Sequence, residues 1–383
     1  MTILMVTRGF PSKLYPLNGI FEWDQAKALR EQGHKVIYLA LDMRSFRRKR
    51  KLGLRVFQEQ GIDVYDCNFP LGAVGHGLLN YVSWRMFCRV YGKIVKAHGK
   101  PDILHAHFAR ATGYVAYRAH KKFDLQYVLT EHDSSINQDT ISASEKKLLK
   151  KIYHAAACRI AVSENFKERL QSLYEEKFIY IPNIVDLSAM NCVNKVPHKG
   201  FTFVSVGALS EWKGMDKTIE GFAVLHSRYP ETRLVIIGDG EDRESLLRLV
   251  ENLKLQECVT LTGRLERIKI KEYFDRSDCF VLMSKSETFG VVYIEAMAAG
   301  LPVIATRCGG PESFVDDGNG ILVDVDDVGQ LVCAMETMLS RQYDAQALRK
   351  FCLDRFSPEV VARKITELIE DNAAIKDNKS ATI

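Results

Sequence analysis

Two glutamates, Glu287 and Glu295, stand with seven residues between them in Ser286-Glu-Thr-Phe-Gly-Val-Val-Tyr-Ile-Glu-Ala-Met-Ala-Ala-Gly-Leu-Pro-Val-Ile-Ala-Thr306. The pattern predicts a strand over 279–283, a turn over 284–290 and a helix over 291–299, closed by Gly300 and Pro302. Gly290 lets backbone come close to a ligand, and the amides around Phe289, Gly290, Val291 and Val292 favour phosphate. A carboxylate repels that phosphate, so the two acids must serve another part of the ligand. Ionised glutamate only accepts hydrogen bonds and therefore suits hydroxyl donors. Helical side chains tilt toward the N-terminus, so Glu295 reaches past the phosphate on one side and Glu287 on the other. A molecule with a central diphosphate and a polyol at each end fits, and a nucleotide sugar is such a molecule. The alternative is that Glu287 caps the helix and Glu295 is a solvated helix residue.

Other groups have the same two-sided reading. Lys213, in the turn after a strand in Val204-Ser-Val-Gly-Ala-Leu-Ser-Glu-Trp-Lys-Gly214, can neutralise a departing diphosphate, or it is an exposed turn lysine. Ile237-Gly-Asp-Gly-Glu241 and Gly263-Arg264-Leu265 are glycine turns at strand ends. Pro16-Leu-Asn-Gly-Ile-Phe21 leads from a strand end into a helix. His105, His107 and His132 sit at strand ends, where a lone histidine is more often structural, and HxH supplies too few ligands for a metal. Asp133 follows His132 and could touch a sugar hydroxyl. Asp324-Val-Asp326-Asp327 resembles a DxD metal motif but reads better as a solvated loop.

The elements that must carry these residues alternate. Short β-branched runs at 3–6, 36–41, 103–105, 127–130, 159–162 and 179–181, then at 201–206, 234–237, 259–262, 279–283, 302–305 and 321–323, are separated by helical patterns such as 21–32 and 217–229. Uniformly apolar strands between amphipathic helices predict parallel sheets covered on both faces. The chain of 383 residues therefore divides into a domain at 1–186, a polar linker at 187–200, a second domain at 201–356, a final helix at 357–373 and a disordered tail at 374–383. A ligand would lie outside the carboxyl ends of the strands, in a cleft between the two sheets.

Composition excludes some classes. A net charge of +5 gives no field on the scale that nucleic acid requires. The nine scattered cysteines form no CxxC pair and read as reduced thiols of a cytoplasmic protein. No apolar run is long enough to span a bilayer, and the first residues read as a strand rather than a leader. Six basic residues in Arg44-Ser-Phe-Arg-Arg-Lys-Arg-Lys51, with an aromatic amphipathic stretch at 78–91, suit either a solvated loop and a core helix face or an anionic membrane surface.

The stretch from Ser286 to Thr306, followed by Gly309-Gly-Pro-Glu-Ser313 and Asp316-Asp-Gly-Asn-Gly-Ile-Leu-Val323, resembles the signature of family 4 retaining glycosyltransferases. The resemblance covers nearly the whole chain and is most specific over 201–323. It implies the GT-B fold: two Rossmann-like α/β domains with parallel sheets facing an interdomain cleft, and a last helix that crosses back to the first domain. It implies a nucleotide-sugar donor on the second domain, with Glu295 on the ribose, Glu287 on the donor sugar, and Phe289, Gly290 and Val291 giving backbone contacts. Gly19 would touch the diphosphate, Arg264 would border the base pocket, His132 would lie near the donor sugar and His107 near the acceptor. The group generally needs no bound metal. The family typically places arginine directly after the glycine of the Lys213 turn. Ala208 stands there, leaving one fewer cation.

The function so implied is retaining transfer of a sugar from a nucleoside diphosphate to a saccharide or polyprenyl-linked acceptor, in bacterial surface-polysaccharide synthesis, at the cytoplasmic face of the membrane. The catalytic candidates are His132, Lys213 and Glu287; the donor-binding ones are Gly19, Lys213, Arg264, Glu287, Phe289, Gly290, Val291 and Glu295; the acceptor-binding ones are His107 and Asp133. No cofactor, metal or nucleic acid is called for. The rivals are a nucleotide-sugar epimerase on the same architecture and a donor-binding subunit that has lost catalysis, the second motivated by Ala208.

Overall fold

Strands form where β-branched and apolar residues cluster, and helices form where apolar residues recur at three- and four-residue spacing. The computed structural model describes residues 1–16, 18–43, 49–71, 74–133, 135, 141–188, 190 and 196–380, without the side chains of 111 and 373–380. The chain separates into two compact units: Met1–Val162, Phe166–Ile184 and Pro358–Ile383 in the first, Ser163–Asn165 and Val185–Ser357 in the second.

The first unit carries β1 (Thr2–Thr7), α1 (Ile20–Glu31), β2 (Lys35–Asp42), β3 (Gly53–Glu59), β4 (Ile62–Asn68), α2 (His76–His98), β5 (Ile103–His107), α3 (Tyr114–Phe123), β6 (Tyr127–Glu131), α4 (Ala143–Ala155), β7 (Cys158–Ala161), α5 (Glu164–Tyr174) and β8 (Ile179–Tyr180). The sheet order is β3-β4-β2-β1-β5-β6-β7-β8. Every pair is parallel except β3 with β4. The sequence reading missed this hairpin, so the first sheet is mixed rather than wholly parallel. β3 leaves most of its side chains in water and follows a basic run, which disguises it as a loop. Its turn has positive φ at both Gln60 and Gly61, the geometry that two-residue hairpins use.

The second unit carries β9 (Phe201–Val206), α6 (Met215–Arg228), β10 (Thr232–Ile237), α7 (Arg243–Asn252), β11 (Val259–Gly263), α8 (Arg267–Phe274), β12 (Cys279–Leu282), α9 (Val291–Ala298), β13 (Val303–Thr306), β14 (Gly320–Val323), α10 (Val328–Ser340) and α11 (Ala345–Phe356). Its six strands run in the order β11-β10-β9-β12-β13-β14, all parallel. The last helix, α12 (Pro358–Ser380), extends past the 373 end read from sequence. It belongs to the first unit, where Val361, Ala362, Ile365 and Ile369 join the core of Ile3, Trp23 and Leu29.

Each sheet has one place where the winding reverses. In the first it lies between β1 and β5, and in the second between β9 and β12. Open α/β sheets bind ligands beyond the strand ends at such points. Among the described residues, no helix is long and apolar enough to cross a membrane, and the eight described cysteines are free. Of the basic run, 44–48 lies outside the described residues. So does much of the 187–200 linker.

Candidate functional site

In the second unit, the loops after β9 and β12 meet at the reversal point. The turn at Glu211–Lys213 is pinned when Lys285 N–H donates to the Trp212 carbonyl at 2.9 Å. That contact presents Lys213 to the next loop, where its Nζ donates to Glu287 Oε1. Ser284 Oγ donates to the same oxygen at 2.9 Å. The Glu287 backbone is held as well, its N–H donating to the Cys308 carbonyl at 3.2 Å.

Gly290 then opens α9 at φ 100°, a conformation that L side chains rarely adopt, and an added Cβ would lie 2.7 Å from the Tyr293 ring. The Phe289 side chain is in the core against Phe314 and Phe356, which leaves only its backbone for any ligand. Among the described residues, the amides of Phe289, Gly290, Val291 and Val292 donate to no protein acceptor. One turn on, Glu295 Oε1 pairs with Arg267 at 2.7 Å. Arg267 also donates to the Asp186 carbonyl at 2.5 Å. Burial raises the Glu295 pKa, and Arg267 pulls it back. The arrangement is thus a row of amides with no protein acceptor between two acids, each acid held by its own cation.

Arg264 is exposed, and Arg267 rather than Arg264 reaches Glu295. Sequence reasoning missed Arg267, since the glycine turn before Arg264 drew attention to that arginine alone. Ala208 is exposed in the same β9 loop. Of the DxD-like residues, Asp324 pairs with Arg307 at 3.1 Å and Asp327 caps α10 by accepting from Gln330 N–H at 2.8 Å.

In the first unit, Gly19 precedes α1 at φ 74°, with the Gly9 carbonyl 2.3 Å from where a Cβ would sit. The three histidines form one column: His105 and His107 rings stack at 4.7 Å, and His107 and His132 at 5.3 Å. His107 Nδ1 and His132 Nε2 share a hydrogen bond of 3.0 Å. His105 Nε2 bonds Thr130 Oγ1 at 2.8 Å. His107 is fully buried, with one ring nitrogen on His132. Glu131, missed in the sequence, supports this end of β6. It accepts from Ala109 N–H at 3.0 Å, His132 N–H at 3.0 Å, Asp133 N–H at 2.9 Å and Tyr153 O–H at 2.7 Å. Asp133 accepts from Ser135 N–H at 3.0 Å and lies 3.5 Å from Arg110.

Burial pushes the pKa of His105 and His132 down to about 3, and that of His107 well below its ordinary value. These rings are neutral near pH 7. The unfolded chain binds their protons near 6.5 and the folded chain only far lower, so acid favours unfolding. Stability present above that value is expected to fall as pH drops toward 3, by up to ~1.4 kcal/mol per pH unit for each histidine. Urea midpoints at a series of pH values check this. A flat midpoint through the histidine range contradicts a neutral buried column, and His105→Asn should flatten part of the slope.

Two family descriptions match in tandem: "Glycosyltransferase Family 4" over residues 23–189 and "Glycosyl transferases group 1" over 192–352. An uncharacterised glycosyltransferase of Haemophilus influenzae is 32% identical over 180 residues, 45% of this chain and 50% of that protein. The chain therefore matches only half the length of that relative. The putative teichuronic acid biosynthesis glycosyltransferase TuaC of Bacillus subtilis is 27% identical over 345 residues, 84% of this chain and 85% of that protein. Among solved structures, sucrose-phosphate synthase of Thermosynechococcus elongatus superposes with a TM-score of 0.80 at 20% identity, covering 98% of this chain and 100% of that one. That likeness concerns the fold, which is GT-B.

Proposed function

Because the chain belongs to the family 4, group 1 glycosyltransferases, we propose that it moves a sugar, with retention of configuration, from a nucleoside-diphosphate sugar to a saccharide or lipid-linked saccharide acceptor. The observation that carries this reading is the row of amides at Gly290–Val292, with no protein acceptor, between Glu287 and Glu295. The amides and the α9 dipole take the diphosphate. Glu295 exchanges part of its contact with Arg267 for the ribose hydroxyls, and Glu287 accepts hydroxyls of the donor sugar. Lys213 and the amides stabilise the leaving charge, so the reading calls for no metal. No carboxylate is placed as a nucleophile. The reaction is then front-face: the sugar–oxygen bond to diphosphate breaks, the departing oxygen takes the acceptor hydroxyl proton, and the acceptor oxygen bonds to the sugar from the same side.

The setting we infer is surface-polysaccharide assembly at the inner face of the membrane. TuaC carries a name of that kind. The exposed row on α2 supports contact with an anionic surface: Leu78 and Tyr81 stand in water with Arg85, Arg89 and Lys93. The other aromatic residues of that helix, Trp84, Phe87 and Tyr91, are core. Membrane contact therefore rests on the basic row and two apolar side chains.

A thermal-shift screen of UDP-, GDP- and ADP-sugars, followed by mass spectrometry with lipid-linked acceptors, tests the reading. One nucleotide family should raise the melting midpoint, and the acceptor should gain one glycosyl unit with the donor's anomeric configuration. Epimerised donor without transfer contradicts it.

A further inference from the structure

Arg8 lies at the end of β1, on the reversal point of the first sheet, and nothing assigned so far uses it. Its guanidinium sits 3.2 Å above the Phe108 ring. Among the described residues it makes no hydrogen bond and no ion pair, and its Nε is buried without a partner. The surrounding acids do not answer it. Glu131 already accepts from four donors, and Asp133 is held by Ser135 and Arg110. Burial lowers the Arg8 pKa, while Glu22, Asp133 and Glu131 favour its charge without pairing with it.

Two further observations point to a ligand at the same place. The histidine column ends there with Nε2 of His107 buried without a hydrogen-bond partner, while His132 faces the Asn183 side chain. Phe108, which carries the guanidinium, holds φ at 68°, a strained value for an aromatic residue, and packs 4.9 Å from the His132 ring. A largely desolvated cation that makes no direct ion pair weakens a fold. Such a group, held by a strained support at the ligand-binding end of a sheet, suits an anion.

We propose that Arg8, with His132 beside it, binds a single anionic group, phosphate or carboxylate, carried by the acceptor. The planar fork of arginine accepts either group through two parallel hydrogen bonds. The neutral His132 beside it brings no competing charge. The inference deepens the transferase reading by giving the acceptor a negative charge, and it rests on that reading only in calling the ligand an acceptor.

The test uses the full chain labelled with 15N-histidine. Sodium phosphate and sodium malonate are titrated in separate arms, with chloride at matched ionic strength as control. In the wild type and in Lys213→Met, which removes the cation of the second unit, the His132 imidazole signals should shift saturably with one of the two anions. The arm that saturates says which chemistry the site takes. In Arg8→Met the apparent affinity should fall at least tenfold, while binding of nucleoside diphosphate stays within about twofold. Arg8→Met should also melt about 2 °C or more above wild type, since a half-buried charge that makes no ion pair is replaced by an apolar side chain. Saturable shifts that persist in Arg8→Met, or that chloride reproduces, overturn the proposal. So does a lower melting midpoint, which marks Arg8 as a structural prop for Phe108. Loss of nucleotide binding in the wild type, with the anion shifts intact, counts against the transferase reading alone.

Discussion

Replacing Lys213 with methionine is expected to lower the transfer rate at saturating donor by about 10²–10³-fold, the range seen when one preorganised charge-stabilising group is removed from an active site. Methionine keeps most of the side-chain length and loses only the cation. Two charges depend on that cation. In the free protein it holds Glu287, and in the proposed reaction it faces the developing diphosphate. Stability should hardly change. The lysine and glutamate are part exposed, and such pairs contribute ~1 kcal/mol or less. Glu287→Ala should cost a similar factor, because it removes both the hydroxyl acceptor and the brace on Lys213. Since the two side chains touch, the double variant should lose less than the product of the single losses. Steady-state rates for the four proteins decide the matter. A Lys213→Met enzyme within threefold of wild type removes this residue from the chemistry.

The second large effect concerns stability. Glu131→Leu should destabilise the protein by about 4 kcal/mol or more, a loss seen as a lower urea midpoint. Four donors converge on this buried carboxylate: three backbone amides and the Tyr153 hydroxyl. Leucine fills the volume and leaves all four unsatisfied, each at ~1–3 kcal/mol when buried. Glu131→Gln should lose less, since one amide oxygen still accepts, while its NH₂ faces donors it cannot serve. The loss should fall on the first unit, so hydrogen exchange should quicken in β6 and at Ala109 before it does in β12 or α9. Unchanged midpoints for both variants contradict the hydrogen-bond assignment.

Legibility differed between the two units for physical reasons. In the second unit, strand, turn and helix around Glu287 and Glu295 followed from local signals: β-branched runs, glycines at strand ends, and the Gly300-Leu-Pro302 stop. The same signals placed α9 within a residue of its observed end. The partners of the acids were not local. Arg267 comes from α8, far from Glu295 along the chain, and sequence alone could not choose it over Arg264. In the first unit, periodicity missed the β3–β4 hairpin because a half-solvated edge strand with charged residues lacks the apolar run that marked the others. His105, His107 and His132 were visible one by one, yet their stacking arises from the pairing of β5 with β6. Glu131 looked like one more polar residue of a loop. Its burial depends on α4, which brings Tyr153 over it. Arg8 stood beside a strand end in plain view, but an arginine without a partner is a property of three-dimensional surroundings.

The amides at the start of α9 are expected to receive the diphosphate of a nucleotide. Backbone hydrogen exchange of Gly290, Val291 and Val292, measured with and without saturating UDP, GDP and ADP, tests it most directly. The account predicts that the nucleotide that binds slows exchange at these three amides more than anywhere else in the second unit. A nucleotide that binds at saturation and leaves all three exchanging at their free rates contradicts it.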